Sequence, residues 1–504
     1  MATQMAANVK PKEEKTWDPI VPPHYHKWRK VFSEIEAARF PEHQPWDIAI
    51  NFTEDAPKSL DCKIYPLTVA EQRQLDDYIK ENLEKGYIRP LKSQYLSPFF
   101  FVRKKDRKLH PVVDYQKLNS FTIPDQYPLP LIQELVDKVR DACLFTKIDV
   151  HAGYNNIRFR EGNKSKATFK TNKGLFEPTV MPFGLRNAPA MFQHMVNMQF
   201  TDILAEGTIN YMDDFLVATL DNKELHREQV NKLLKWLQEL DLYLKPSKCI
   251  FETRQVEFLG VILENSTIMM DPIKVTGVAN WKTPKNVKDI RKFLGFCNFY
   301  QHFIRGFSQI AKPLNDQLKK GAQWNWEEPE DRAFEELKHQ ICEEPVLSQP
   351  NQKKPFEVEV DASNYAIGAV LMQKDDNNVL HPVTFFSKTM NQAQRNYNVY
   401  NHELLALVET CRHWRHYLHQ LAHTVKIHTD HANLLYWKNP GEHNRRVARW
   451  HMELMEYNFT LVHLPGRKNG RNDALSRRPD YDTGEEDNKQ LIVLPEKVFT
   501  KAHA

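Results

Sequence analysis

The run Ile209-Asn210-Tyr211-Met212-Asp213-Asp214-Phe215-Leu216-Val217 decides how this chain is read. Apolar residues flank two adjacent carboxylates, the pattern of a hairpin whose tip carries charge between two buried strands. Like charges that close are costly at a hydrophobic tip, so a divalent cation is their natural partner. Alone, such a string reads as a solvated turn. It does not stand alone: 64 residues before Asp213, the strand pattern Leu144-Phe145-Thr146-Lys147-Ile148 ends in Asp149, followed by Gly153-Tyr154. Between the two acidic sites lies Pro182-Phe183-Gly184-Leu185-Arg186-Asn187-Ala188-Pro189.

Outward from this centre the pattern is mixed. Leu75, Tyr78, Ile79 and Leu83 recur at helical spacing and Gly86 stops them, predicting a helix from about Thr68 to Lys85. Strands are predicted at Phe99 to Val102, Leu144 to Val150, Ile209 to Thr219 and Val256 to Leu263, with a helix at Glu224 to Leu240. The first fifty residues hold Trp17, Pro19, Pro22, Pro23, Trp28, Pro41, Pro45 and Trp46 without sustained period, which reads as an irregular arm that wraps a core, with one helix near His26 to Ala38. After Ser348 to Pro355, Phe356, Val358 and Val360 alternate with Glu357, Glu359 and Asp361 as a strand, and Ile367, Ala369 and Leu371 continue in a second. A helix over His402 to Leu418 and a strand over Val425 to Thr429 follow.

Composition sets the bounds. The 504 residues, 41% hydrophobic and 27% charged, are globular and too many for one core. No apolar run approaches the roughly 18 to 20 residues that span a bilayer, so no membrane partner is expected and a soluble intracellular protein is the default. Six dispersed cysteines suggest buried thiols rather than disulfides or a zinc site, and the 21 histidines show no zinc spacing. The formal charge is +4, but from Pro479 onward six acids face three lysines, which leaves +7 on residues 1 to 478. That is compatible with a phosphate-rich partner.

Phe145-Thr146-Lys147-Ile148-Asp149, Gly153-Tyr154-Asn155-Asn156, Gly174-Leu175-Phe176-Glu177-Pro178, Met181-Pro182-Phe183-Gly184-Leu185 and Tyr211-Met212-Asp213-Asp214, in this order, make the chain resemble the reverse transcriptase of gypsy-type long-terminal-repeat retrotransposons over nearly all of residues 40 to 478. The resemblance implies an α+β multidomain chain, a right-hand polymerase with fingers, palm and thumb followed by an α/β RNase H-like domain. The expected division is 1–50, an N-terminal arm; 51–265, fingers and palm; 266–347, thumb or connection; 348–478, RNase H domain; and 479–504, an acidic linker or cut end. It further implies DNA synthesis on RNA and DNA templates from a DNA primer and dNTPs, cleavage of the RNA strand of RNA/DNA hybrids, and location in the cytoplasm within virus-like particles. Related enzymes occur as monomers and as homodimers, and both remain open.

In-line attack of a primer 3′-hydroxyl on an α-phosphate calls for two Mg²⁺ ions about 3.5 to 4 Å apart, with Mn²⁺ able to substitute. By the resemblance Asp149 and Asp213 would be the main ligands, with Asp214 beside them, and Tyr154 would lie under the sugar, excluding a 2′-hydroxyl. Lys104, in the basic run Arg103 to Lys108, would contact the triphosphate. Phe183 and Gly184 would shape the floor beneath template and nucleotide, and Phe258-Leu259-Gly260 would grip the primer end. Lys248 would protonate leaving pyrophosphate, although a surface lysine is an equal reading. At His110 and Gln116, also in the substrate region, the family usually has arginine, and at Arg107 glycine.

In the second region Asp361 follows a strand, Glu403 opens the long helix, Asp430 follows another strand and Asp473 starts a final helix. Each alone reads as a cap or solvated acid. Their order, with Thr429-Asp430-His431, His463-x-Pro465-Gly466-Arg467 and Asp473-Ala474-Leu475-Ser476-Arg477, resembles the RNase H domain of the same elements, in which four carboxylates hold two Mg²⁺ ions. His463 would assist product release or serve structurally. The rival to a working polymerase and nuclease is a weakened or domesticated nucleic-acid-binding copy, suggested by His110 and Gln116. Asp482-Thr483-Gly484, in a charged tail without apolar flanks, does not read as an aspartic protease triplet, and the chain looks like one excised piece of a polyprotein.

Overall fold

The computed structural model describes residues 17–103, 109–139, 141–204, 207–264, 267–343, 347–363, 365–437 and 445–463. The chain divides into two compact units, Met1–Thr267 and Ile268–Ala504. Among the described residues no helix is long and apolar enough to cross a membrane.

The first unit is built around an antiparallel sheet in the order Thr208–Tyr211, Asp214–Thr219, Leu144–Asp149, Ile250–Thr253. Its strands are apolar and flanked by turns, and helices Ala188–Gln199 and Lys223–Glu239 supply Phe192, Val196, Val230, Leu233 and Leu237 to the same core. Tyr25, Val31, Phe32, Ile48 and Ile50 also bury there, so the irregular arm does wrap this core. It does so as a 3-10 helix, Pro23–Phe32, and one α-turn, Glu34–Ala37, in place of the single helix expected near His26 to Ala38. Trp28 leaves helical geometry, and Ser33 then caps the next turn, accepting from the Glu36 N–H.

A second sheet runs Ile88–Pro90, Gly174–Pro178, Phe169–Thr171, Ser97–Arg103, Leu109–Val113. Helix Val69–Glu84 lays Leu75 and Ile79 on Phe99, Phe169 and Phe176. Thr68 and Glu71 close a capping box at its start, a contribution of about 1 kcal/mol. The strand expected over Val256 to Leu263 is two, Gln255–Phe258 and Val261–Glu264, because Leu259 and Gly260 take φ of 48° and 88° and turn the chain.

In the second unit helices Pro272–Ala279, Val287–Phe299 and Glu328–Cys342 gather Phe293, Phe334 and Tyr300 into a core. A five-stranded sheet follows, in the order Leu380–Thr389, Ala366–Lys374, Phe356–Ala362, Val425–Thr429, Phe459–His463. Its first three strands are antiparallel, and Val425–Thr429 runs parallel to both its neighbours. Helix Val399–His413 packs Leu404, Leu407, Val408 and Cys411 against Val358, Val360 and Ile427. Of the six cysteines, Cys249, Cys297 and Cys411 are buried as expected, Cys342 is exposed, and Cys62 and Cys143 are half-buried.

Candidate functional site

Strand register brings the first three acids together. Asp149 is the cross-strand partner of Asp214, and Tyr211 pairs with Asp214 on the other side, so Met212 and Asp213 form a two-residue turn at the hairpin tip. Burial raises the pKa of both Asp213 and Asp214, and Asp149 pushes each further in the same direction. Lys248 Nζ stands 2.7 Å from Asp149 Oδ2. Partial burial opposes its charge, but the bond to Asp149 and the field of the three carboxylates hold its pKa above the ordinary value. Net negative charge on partly buried carboxylates is the condition under which a divalent cation is favoured.

Two polar residues behind the tip had not been singled out in the sequence. Gln193 and Asn210, 1% and 2% exposed, bond each other and the backbone of Met212. Their signal was a polar residue inside an apolar pattern, on helix Ala188–Gln199 and on strand Thr208–Tyr211. His226 is a third: Nε2 lies 2.7 Å from Thr146 Oγ1 and Nδ1 2.9 Å from Thr219 Oγ1, which links the strand of Asp149 to that of Asp214.

Tyr154 stands beside the turn. Its hydroxyl donates to Met212 Sδ at 3.6 Å, and its ring lies 4.8 Å from Phe183 and 5.5 Å from Phe192. Gly153 is required here, since a Cβ would come within 2.8 Å of Phe192 Cζ. Phe183 is 66% exposed, an unusual display for phenylalanine and a ready stacking surface. Gly184 has φ of 96° and sits where a Cβ would press on the Val113 carbonyl at 3.4 Å, while its own carbonyl accepts from Asn119 Nδ2. His110 lies half-buried on strand Leu109–Val113, and Gln116 is exposed at the start of helix Gln116–Phe121. Phe258 is wholly buried, so any grip at Phe258-Leu259-Gly260 belongs to the turn rather than to this ring. Lys104 and Arg107 lie outside the described residues.

The acids of the second unit are drawn tighter. Asp361, Glu403 and Asp430 each place a carboxylate oxygen within 4.8 Å of the others. Asp361 is inside strand Phe356–Ala362 rather than after it. Glu403 is in the second turn of helix Val399–His413, because the Asn398 side chain caps that helix earlier than expected. Glu403 is 6% exposed and its Oε2 is buried without a hydrogen-bond partner among the described residues. Burial, then Asp361 and Asp430, drive its pKa well above the carboxylate range. An orphaned carboxylate oxygen facing two more acids fits a divalent metal, whose charge reverses that penalty. His463 Nε2 lies 3.0 Å from the Asp430 carbonyl oxygen. Asp473 lies outside the described residues.

Two family models match. Residues 102–263 match the reverse transcriptase (RNA-dependent DNA polymerase) family, and residues 351–457 match the RNase H-like domain found in reverse transcriptase. The chain is similar to the Tf2-3 and Tf2-7 transposon polyproteins of Schizosaccharomyces pombe, each 36% identical over 92% of this chain. It spans about a third of their length, 35%. Among solved structures, a foamy viral protease-reverse transcriptase in complex with double-stranded DNA has a TM-score of 0.74 at 17% identity, covering 90% of this chain and 98% of that one. The same kind of protein with an RNA/DNA hybrid has a TM-score of 0.72 at 19% identity, covering 88% and 60%. That likeness gives the fold: a reverse transcriptase polymerase followed by an RNase H-like domain. The chain thus carries a reverse transcriptase domain followed by an RNase H-like domain of the kind found in reverse transcriptase.

Proposed function

We propose that the chain is the polymerase and nuclease portion of a gypsy-type retrotransposon polyprotein, copying RNA and then DNA templates from a DNA primer and cleaving the RNA strand of the resulting hybrid. The observation that carries the reading is the pairing of Asp149 with Asp214, with Asp213 at the adjoining tip, in one unit, and the Asp361, Glu403 and Asp430 triad in the other.

Asp149, Asp213 and Asp214 would hold Mg²⁺, or Mn²⁺ in its place, as would Asp361, Glu403 and Asp430 with Asp473. Two such ions per site supply Lewis-acid activation of the attacking oxygen and charge neutralisation at the phosphate. The remaining work belongs to the protein. Tyr154, wedged by Phe192 and tethered to Met212, presents its ring to the sugar and leaves no room for a 2′-hydroxyl. Phe183 stacks beside it under the nascent base pair, on a loop fixed by the Asn119 bond to the Gly184 carbonyl. Lys248, charged at neutral pH, carries a proton that it can give to the pyrophosphate oxygen as the leaving group departs, moving from Asp149 to do so. Lys104, His110 and Gln116 would face the triphosphate, and the turn at Leu259 and Gly260 the primer. In the cell the reaction would run in the cytoplasm, inside the element's virus-like particles.

Primer extension on an RNA template and cleavage of a hybrid, measured on one preparation, test this. Joint replacement Asp213→Asn and Asp214→Asn should abolish extension and spare cleavage, and Glu403→Gln should do the reverse. Substantial extension by the double asparagine variant would remove the reading.

A further inference from the structure

The turn that presents Asp213 is built on an unfavourable backbone. Met212 occupies its first central position with φ of 52°, a left-handed conformation that two-residue hairpin turns usually assign to glycine. Both polar groups of this residue are held from behind. The Met212 N–H donates to Gln193 Oε1 at 2.7 Å, and the Met212 carbonyl accepts from Asn210 Nδ2 at 2.7 Å. Asn210 Nδ2 also donates to the Asp214 carbonyl at 3.2 Å. Gln193 Nε2 in turn donates to Asn210 Oδ1 at 2.9 Å and to Asn197 Oδ1 at 2.8 Å, and Asn197 Nδ2 donates to the Tyr127 hydroxyl at 2.8 Å.

The orientation of each amide follows from the next. If Gln193 accepts from Met212, its NH₂ must face Asn210, which forces the Asn210 NH₂ onto the Met212 and Asp214 carbonyls. No member can flip without burying two like groups face to face. Gln193, Asn210 and Asn197 are amides, so the three side chains nearest the turn carry no charge of their own. None of these side chains belongs to the carboxylate cluster.

We propose that Gln193 and Asn210 are positioning residues of the polymerase site: this buried amide pair keeps Met212 left-handed, thereby aims Asp213 and Asp214, and sets both turnover and metal affinity there. The proposal rests on the polymerase reading above. A shift of about 1 Å in such groups is enough to cost roughly 100-fold in rate.

The test compares the parent with Gln193→Leu, which removes every bond at similar size, and Gln193→Glu, which keeps the acceptor for Met212 but loses both donors. A fourth protein, Gln193→Leu with Met212→Gly, is compared with Met212→Gly alone. Single-nucleotide extension and hybrid cleavage are measured on each preparation, and Mn²⁺ binding is measured by electron paramagnetic resonance in a Glu403→Gln background. Gln193→Leu should lose roughly 100-fold in kcat with nucleotide KM within about twofold, bind Mn²⁺ at the polymerase site roughly 10-fold more weakly, and cleave hybrid at the parental rate. Gln193→Glu, which sets a buried acceptor against Asn210 Oδ1 and Asn197 Oδ1, should lose at least as much kcat as Gln193→Leu, and a parental kcat in it would count against the proposal. Glycine at 212 needs no such hold, so it should restore at least 10-fold of the kcat lost by Gln193→Leu. Unchanged kcat and Mn²⁺ binding in Gln193→Leu would overturn the proposal, as would equal loss of extension and cleavage, or no restoration by glycine. A parent that binds Mn²⁺ but extends no primer would instead refute the polymerase reading, and the Mn²⁺ comparison would then decide the role of Gln193.

Discussion

Acid should loosen the sheet that carries Asp149 and Asp214 through His226. The ring is fully buried, 0% exposed, between Thr146 and Thr219, and Thr146 Oγ1 also accepts the Glu252 N–H at 3.1 Å. Burial lowers the His226 pKa to about 4, with Arg227 acting in the same direction and Glu252 against it. In the unfolded chain the ordinary value is about 6.5. The unfolded state therefore takes up the proton first, and stability is lost as pH falls from about 6.5 to about 4. The whole interval corresponds to about 3 kcal/mol, and the part above pH 5 to about 2 kcal/mol. For a unit of this size 1 kcal/mol moves the midpoint by about 2 to 4 °C, so cooling of the transition by about 4 to 8 °C at pH 5 belongs to this one group. The assay is thermal unfolding at pH 7.5 and pH 5 of the parent and of His226→Gln, which keeps hydrogen bonding but does not titrate, followed by loss of primer extension so that the first unit is read. His302, lowered to about 4 by burial in the second unit, is common to both proteins and cancels in the comparison. The variant should start lower and fall less. Equal falls in the two proteins would refute the assignment to His226.

Three further outcomes follow from the polymerase geometry. Tyr154→Val should open the space beside Met212 and raise ribonucleotide incorporation relative to deoxyribonucleotide by roughly 10- to 100-fold, the equivalent of relieving about 1 to 3 kcal/mol of overpacking. An unchanged selectivity ratio would mean that the gate lies elsewhere. Lys248→Met should reduce kcat by about 100-fold or more with little change in nucleotide KM if the lysine gives up its proton to pyrophosphate, and an unaltered kcat in single-turnover extension would exclude that role. His110→Arg and Gln116→Arg should each lower nucleotide KM roughly 10-fold or more if the side chain reaches the triphosphate, since a charge-assisted bond adds about 1.5 to 3 kcal/mol. Identical KM values in steady-state kinetics would show that other residues hold the phosphates, and the reading of this chain as a weakened copy would fall with them.

Which parts of this molecule could be read in advance follows from where its information is stored. The tip at Asp213 and Asp214 was legible because charge inside an apolar run has few structural explanations, and the alternation through Phe356, Val358 and Val360 announced the strand of Asp361. That the arm wraps a core was legible from its lack of period, but which residues it buries was not, since Tyr25, Val31 and Phe32 are buried by contacts with residues more than two hundred positions away, such as Phe251. The start of the Glu403 helix was misplaced by three residues because the capping Asn398 lies outside the apolar stripe used to find it. Gln193, Asn210 and His226 are the instructive omissions. His226 occupies a position on the stripe that continues through Val230, Leu233 and Leu237, and Gln193 follows Phe192 into the core beside Val196. A polar group at such a position is expensive unless its bonds are satisfied, so its presence in a folded chain means that some partner elsewhere needs it. Here the partners are the strands and the turn that carry Asp149, Asp213 and Asp214. The residues that break an apolar pattern therefore mark the supports of the site, as the acids mark the site itself, and they can be sought in a sequence by the same rule.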